Sequence, residues 1–139
     1  MIVLDTGGLY AALDTSDTNH AAALAVVADE RGPFLMSPFV LAEIDYLVQR
    51  RLGVRAELRL LDDVASGAYK LVSFDQGDLR ETVSLVKTYD DLGIGVTDAS
   101  VAVVAARYHT VDLLSLDERH FRAIRPLRGD AFRLRPLDP

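Results

Sequence analysis

Short apolar runs separated by helix-length stretches constrain this chain more than any other feature. Ile2–Leu4, Phe34–Met36, Tyr69–Ser73 and Val111–Leu116 are brief and rich in branched or aromatic residues, the pattern of short buried strands. The segments between them carry helix signals. Gly7 and Gly8 open a short helix through about Leu13. Ser16 and Asp17 are N-cap candidates for a helix from Thr18 to Arg31, closed by Gly32-Pro33. Ser37 before Pro38 pairs an N-cap with proline at the first helical position, and that helix runs to Leu52 and stops at Gly53. Further helices are expected over 55–65, 78–89 and 97–108, a short helical turn over 118–121, and an edge strand over 132–134. Strands alternating with helices predict an α/β domain with a mainly parallel sheet. No repeat or linker interrupts it, so residues 1–139 are expected to form a single domain.

Composition narrows the chemistry. A chain of 139 residues buries roughly two-thirds of the surface that its unfolded form exposes, enough for a real core. There is no cysteine, so a metal would be held by oxygen or nitrogen. The start, Met1-Ile2-Val3-Leu4-Asp5, lacks the basic region of a signal peptide, and no apolar stretch approaches the ~20 residues of a membrane span. A cytoplasmic protein is expected, with no membrane partner. The net charge of −6 has the wrong sign for binding nucleic acid, where phosphate contacts dominate. Two features weigh against that objection. An acidic metal site contributes negative charge that cations cancel, and all basic residues but Lys70 and Lys87 are arginine, the better phosphate fork. Codon usage in a GC-rich genome would also enrich arginine.

In open parallel sheets, ligands bind outside the carboxyl ends of the strands. Asp5 follows the first apolar run and Asp117 the Val111–Leu116 run. Asp98 opens a helix whose next residues, Ala99 to Ala106, leave almost no polar face, so that helix is expected to be central. Glu43 lies on the shoulder of the stripe Val40, Leu41, Ile44, Leu47, Val48 and Leu52. Each acid has an ordinary alternative: an N-cap for Asp5 and Asp98, a turn residue for Asp117, a solvated glutamate for Glu43. Thr97 competes with Asp98 for the cap. Asp45, on the opposite shoulder, is an alternative ligand or a surface residue. Carboxylates brought together repel and raise one another's pKa, a cost that a hard cation such as Mg²⁺ or Mn²⁺ relieves. Ser115 shares a side of its strand with Asp117 and could orient a carboxylate or a water.

The four positions resemble the motifs of PIN-domain ribonucleases, and among them the VapC toxins of bacterial type II toxin–antitoxin pairs. Ile2-Val3-Leu4-Asp5-Thr6 is similar to the family's hydrophobic-Asp-Thr/Ser start, and Ser37-Pro38-Phe39-Val40-Leu41-Ala42-Glu43 to the helix carrying its glutamate. Gly95-Val96-Thr97-Asp98-Ala99 and Leu114-Ser115-Leu116-Asp117-Glu118-Arg119-His120-Phe121 look like the third and fourth motifs. The motifs are short; their order and spacing carry the match. Gly7 stands where many members have Ser or Asn. The resemblance implies a PIN-like α/β/α sandwich and RNA cleavage with Mg²⁺ or Mn²⁺. It makes Asp5, Glu43, Asp98 and Asp117 the metal-binding and catalytic acids, with Thr6 and Ser115 as supporting hydroxyls. It also implies a VapB-type antitoxin that occupies the acidic cleft, often with an arginine, and frequent homodimers.

On this reading a metal-bound water attacks the phosphodiester, and Arg50, Arg51 and Arg119 are candidates to track RNA phosphates. His120, the histidine nearest a motif, is expected to be structural. Two rivals stand beside the nuclease. A non-catalytic PIN-like binding module would act only through a partner. An aspartate-based phosphoryl-transfer or receiver domain would need a second acid two residues after Asp5, where Gly7 stands, or a lysine after a late strand, where none occurs.

Overall fold

The computed structural model describes residues 1–139. Five strands form one sheet: β1 (Ile2–Leu4), β2 (Phe34–Met36), β3 (Lys70–Leu71), β4 (Asp112–Ser115) and β5 (Arg133–Pro136). Their order is β3-β2-β1-β4-β5 and every neighbouring pair is parallel. The connections are helical: α1 (Thr6–Leu13), α2 (His20–Asp29), α3 (Pro38–Leu52), α4 (Val54–Ala65), α5 (Gln76–Thr88), a 3-10 turn at Asp90–Leu92, α6 (Val96–Arg107) and α7 (Glu118–Phe121). The expected α/β architecture is therefore present, with the sheet parallel throughout.

Strand order determines where a crevice can open. From β1 the chain moves outward through β2 and β3, then returns to the other side of β1 for β4 and β5. The β1–β4 boundary is the point where the order reverses, and there the carboxyl ends of neighbouring strands are uncovered. β1 and β4 pair with Val3 opposite Leu113 and Leu4 opposite Leu114, and the Asp5 amide extends the ladder by donating to the Leu114 carbonyl at 3.1 Å. Asp5 and Ser115 thus emerge side by side.

Burial holds this register. Ile2, Val3, Leu4, Leu113 and Leu114 are wholly inaccessible and belong to a core cluster of 28 residues. The small side chains of α6 let it run through the interior: every residue from Ala99 to Ala105 is buried, and the helix packs against β1, α3 and α5. Gly8 lets α1 lie on β4. A Cβ there would collide with the Leu114 carbonyl and sit 2.8 Å from the Ser115 amide nitrogen.

Element ends differ from the sequence expectation for local reasons. The chain before His20 turns instead of starting α2 at Thr18, because the Asp14 and Asp17 carboxylates accept the Ser16 and Asn19 amides. Such local bonds compete with helix. α5 starts at Gln76, earlier than expected, because Asp75 and Asp78 form a reciprocal capping box. β3 shrinks from the expected 69–73 to two exposed residues at the sheet edge. β5 begins at Arg133 and reaches Pro136, whose missing N–H is tolerated on an edge strand.

Candidate metal centre

Asp5 leaves β1 and occupies the N-cap position of α1, yet its side chain makes no capping hydrogen bond. The ordinary explanation for this residue therefore does not apply. Its Oδ2 instead accepts the Ser115 hydroxyl at 2.7 Å, and it is 5% exposed. Burial drives its carboxyl from an ordinary 3.8 up to about 7; the Ser115 hydrogen bond opposes this, and the Asp98 and Asp117 charges add to it.

Ser115 serves both strand ends. Its buried hydroxyl donates to Asp5 and accepts the Asp117 amide at 3.0 Å. Asp117 does cap a helix: its Oδ1 accepts the His120 amide at 3.0 Å at the start of α7. Its second oxygen remains available and lies 2.8 Å from His120 Nδ1.

Asp98 lies in the first turn of α6, half-buried, and neither it nor Thr97 caps the helix; the N-cap is Gly95, without a side-chain bond. Burial raises the Asp98 carboxyl; His120 acts against this, while Asp117 and Glu43 push in the same direction as burial. The buried Ser37–Ser100 hydroxyl pair, 2.7 Å apart, ties the start of α3 to α6. Glu43 on α3 is exposed, but near enough for its charge to act on Asp98. Asp45 faces elsewhere, against Glu57 of α4, whose carboxyl it raises. It does not join the other acids.

Asp5, Asp98 and Asp117 act on one another's charge, and Glu43 reaches Asp98. The tightest constellation differs in membership. Asp98, Asp117 and His120 offer ligand atoms within 4.8 Å of one another, whereas Asp5 and Glu43 lie outside that group. His120, expected to be structural, lies against both Asp98 and Asp117. Its signal in the sequence was the Asp117–His120 spacing of three, which puts both side chains on one side of a helical turn.

None of these acids is paired with an arginine or lysine; Arg107, Arg122 and Arg133 pair instead with Asp78, with Glu118 and Asp138, and with Asp112. The Thr6 hydroxyl, beside Asp5, is buried and has no hydrogen-bond partner. Unbalanced carboxylates, an orphaned hydroxyl and an oxygen-rich donor set fit a divalent cation with its bound waters. Arg119 is exposed beside Asp117. Arg50 and Arg51 lie two turns further along α3 from Glu43, stacked on Tyr46 and Tyr10 at 5.8 and 5.2 Å from the ring centroids. They lie in the last turn of α3 and pair with none of the acids.

Known proteins identify the family. The family model described as the PIN domain matches residues 2–126. Ribonuclease VapC26 of Mycobacterium tuberculosis is 38% identical over 135 residues, spanning 97% of this chain and all of the relative. The crystal structure of Mycobacterium tuberculosis VapC20, described as a sarcin–ricin loop cleaving toxin, superposes with a TM-score of 0.80 over 93% of this chain and all of that one. At 19% identity it speaks to the fold alone. With the sheet order, the acids at its reversal point and a family match over nearly the whole length, this chain belongs to the PIN-domain family, in its VapC branch.

Proposed function

We propose that this chain is the ribonuclease toxin of a toxin–antitoxin pair, and that it hydrolyses RNA phosphodiester bonds at Asp5, Glu43, Asp98 and Asp117 with Mg²⁺ or Mn²⁺. The observation that carries this reading is the buried Asp5 carboxyl, bonded to Ser115 and placed near Asp98 and Asp117 with no lysine or arginine paired to it; burial pushes it well above the usual carboxylate range. A fold tolerates such a group where a cation completes the site.

A bound divalent ion supplies a water of lowered pKa and charge to offset the phosphate. The chain's own residues do the rest. Asp5, Asp98 and Glu43 offer oxygens from β1, α6 and α3. Ser115 orients the Asp5 carboxylate through its 2.7 Å hydrogen bond. The unpartnered Thr6 hydroxyl offers a donor and an acceptor to a bound water. Asp117 orients that water or completes a second metal position. Arg50, Arg51 and Arg119 hold RNA phosphates outside the acids.

The partner is a cognate VapB-type antitoxin, in the cytoplasm, and an arginine from it would supply the cation that the cleft lacks. Residues 1–139 act as one nuclease domain and pair as a homodimer. No helix is long and apolar enough to cross a membrane.

The test is to incubate purified protein with total RNA, with Mn²⁺ or with a chelator, and to map the cut ends. Discrete cuts are expected with Mn²⁺ alone, and Asp98→Asn should lower the rate by more than about 100-fold, beyond the effect of losing an outer-shell group. Equal cleavage by the variant, or with chelator, would contradict the proposal.

A further inference from the structure

Three side chains at the centre are closer than the rest, and one of them is an imidazole. His120 Nδ1 lies 2.8 Å from Asp117 Oδ2 and 3.0 Å from Asp98 Oδ2. We propose that His120 is a nitrogen ligand of the metal centre, through Nδ1, and that it makes the site selective for a first-row transition ion such as Mn²⁺ over Mg²⁺. The inference rests on the nuclease reading of the same acids and adds a ligand that the acids alone do not supply.

Two separate features of the structure point this way. The first is spacing. Adjacent ligand atoms of an octahedral ion with bonds of about 2.1 Å lie about 3 Å apart. The two distances from Nδ1 to the carboxylate oxygens match that edge length, and the three ligand atoms all lie within 4.8 Å of one another. The second is the far side of the ring. A ligating histidine almost always gives its other N–H to a carbonyl, carboxylate or water, which fixes tautomer and orientation. His120 Nε2 faces the Leu92 carbonyl at 3.3 Å. A neutral ring with its hydrogen on Nε2 donates there and leaves the Nδ1 lone pair directed between Asp98 and Asp117.

The backbone holds this aim in place. The His120 amide donates to Asp117 Oδ1, so the imidazole and the Asp117 carboxylate are positioned by the same turn of α7. Leu92 ends the 3-10 turn before Gly93, in the segment that leads into α6 and Asp98. The ring therefore joins two motifs that are distant in the chain. Imidazole nitrogen binds first-row transition ions better than it binds Mg²⁺, which prefers oxygen.

The experiment is pulsed electron paramagnetic resonance on the full chain loaded with one equivalent of Mn²⁺. Nitrogen-14 modulation from a directly bonded imidazole is expected in the unmodified protein, changing to the nitrogen-15 pattern when histidine is isotopically labelled. His120→Gln and His120→Ala should abolish it while His20 and His109 remain. Competition titration should show at least about a 10-fold loss of Mn²⁺ affinity in His120→Gln and a smaller loss for Mg²⁺. Mn²⁺ binding that depends on Asp98 and Asp117 but shows no nitrogen coupling would overturn the role of His120 and leave the nuclease reading standing. Absence of any saturable Mn²⁺ site would overturn both. The unmodified protein alone decides the coupling, so a variant that folds poorly does not shield the proposal.

Discussion

Aspartates on neighbouring strands of the sheet meet opposite treatment. At the β5 edge, Asp138 accepts both Arg122 nitrogens at 2.7 and 2.8 Å and the Leu134 amide, and its carboxyl is pulled down to about 2, chiefly by Arg122. Asp112 on β4 is likewise matched to Arg133. Past the carboxyl ends of β1 and β4, Asp5, Asp98 and Asp117 have no arginine or lysine partner, only His120 beside the last two, and burial drives the Asp5 carboxyl up to about 7. The chain is well supplied with arginine, so a shortage of cations does not explain the contrast. Beside the outer strand β5, arginines neutralise the aspartates. At the β1–β4 reversal point, where a ligand has access, no arginine or lysine does so. Neutralised carboxylates hold structure together, and carboxylates left unbalanced keep a place for a cation.

The comparison breaks most sharply at Asp5. A carboxyl raised in the folded state stabilises the protein below its unfolded value of 3.8, and that contribution is lost as pH rises through about 7. Metal-free protein should lose a few kcal/mol of stability across this window. Asp5→Asn removes the slope, because the amide carries no charge and can still accept from Ser115. This variant should be more stable than the metal-free parent at about pH 8, and inactive in RNA cleavage. Denaturant titrations over pH measure the first effect; an unchanged slope would show that Asp5 is not the strained group.

The next effect tests the packing that brings β1 and β4 together. Gly8→Ala forces a methyl against the Leu114 carbonyl and should cost about 2–3 kcal/mol, read as a lower urea midpoint, whereas Gly7→Ala meets no atom within 4 Å and should cost far less. Ser115→Ala sharpens the comparison at the centre itself. It removes the hydroxyl shared by Asp5 and Asp117 and should lower Mn²⁺ affinity or cleavage by about 10–100-fold. Arg50→Ala with Arg51→Ala should leave cleavage chemistry intact and flatten the salt dependence of RNA affinity by about 0.7 per lost phosphate contact. The smallest effect belongs to the structural edge. Arg122→Ala breaks an exposed pair, and such pairs contribute little in water. Its thermal midpoint should move less than that of Gly8→Ala.

Much of this organisation was legible in the residues. The apolar runs marked four of the five strands, β3 proving shorter, and the fifth was expected as an edge strand; of the acids Asp5, Glu43, Asp98 and Asp117, the fold puts Asp98 and Asp117 closest together. The register between β1 and β4 was not legible, because it depends on Gly8 admitting a close approach between α1 and β4. Asp5 and Asp98 looked like helix caps, and only their geometry shows that neither side chain caps anything. Asp117 looked like a turn residue and is one, with a second oxygen turned to the centre. His120 was expected to be structural because the acids need no histidine as base; its contact with Asp98, distant in the chain, was not visible in the sequence. Local patterns show what a residue can do with its neighbours, and the site depends on contacts between residues distant in sequence.

The central claim, that these carboxylates are left unbalanced to receive a divalent cation, is tested most directly by titrating Mn²⁺ into the metal-free protein in a calorimeter, with Asp98→Asn as the comparison. A saturable site in the unmodified chain, lost in the variant, is the predicted result. Indistinguishable heats from the two proteins would contradict the account.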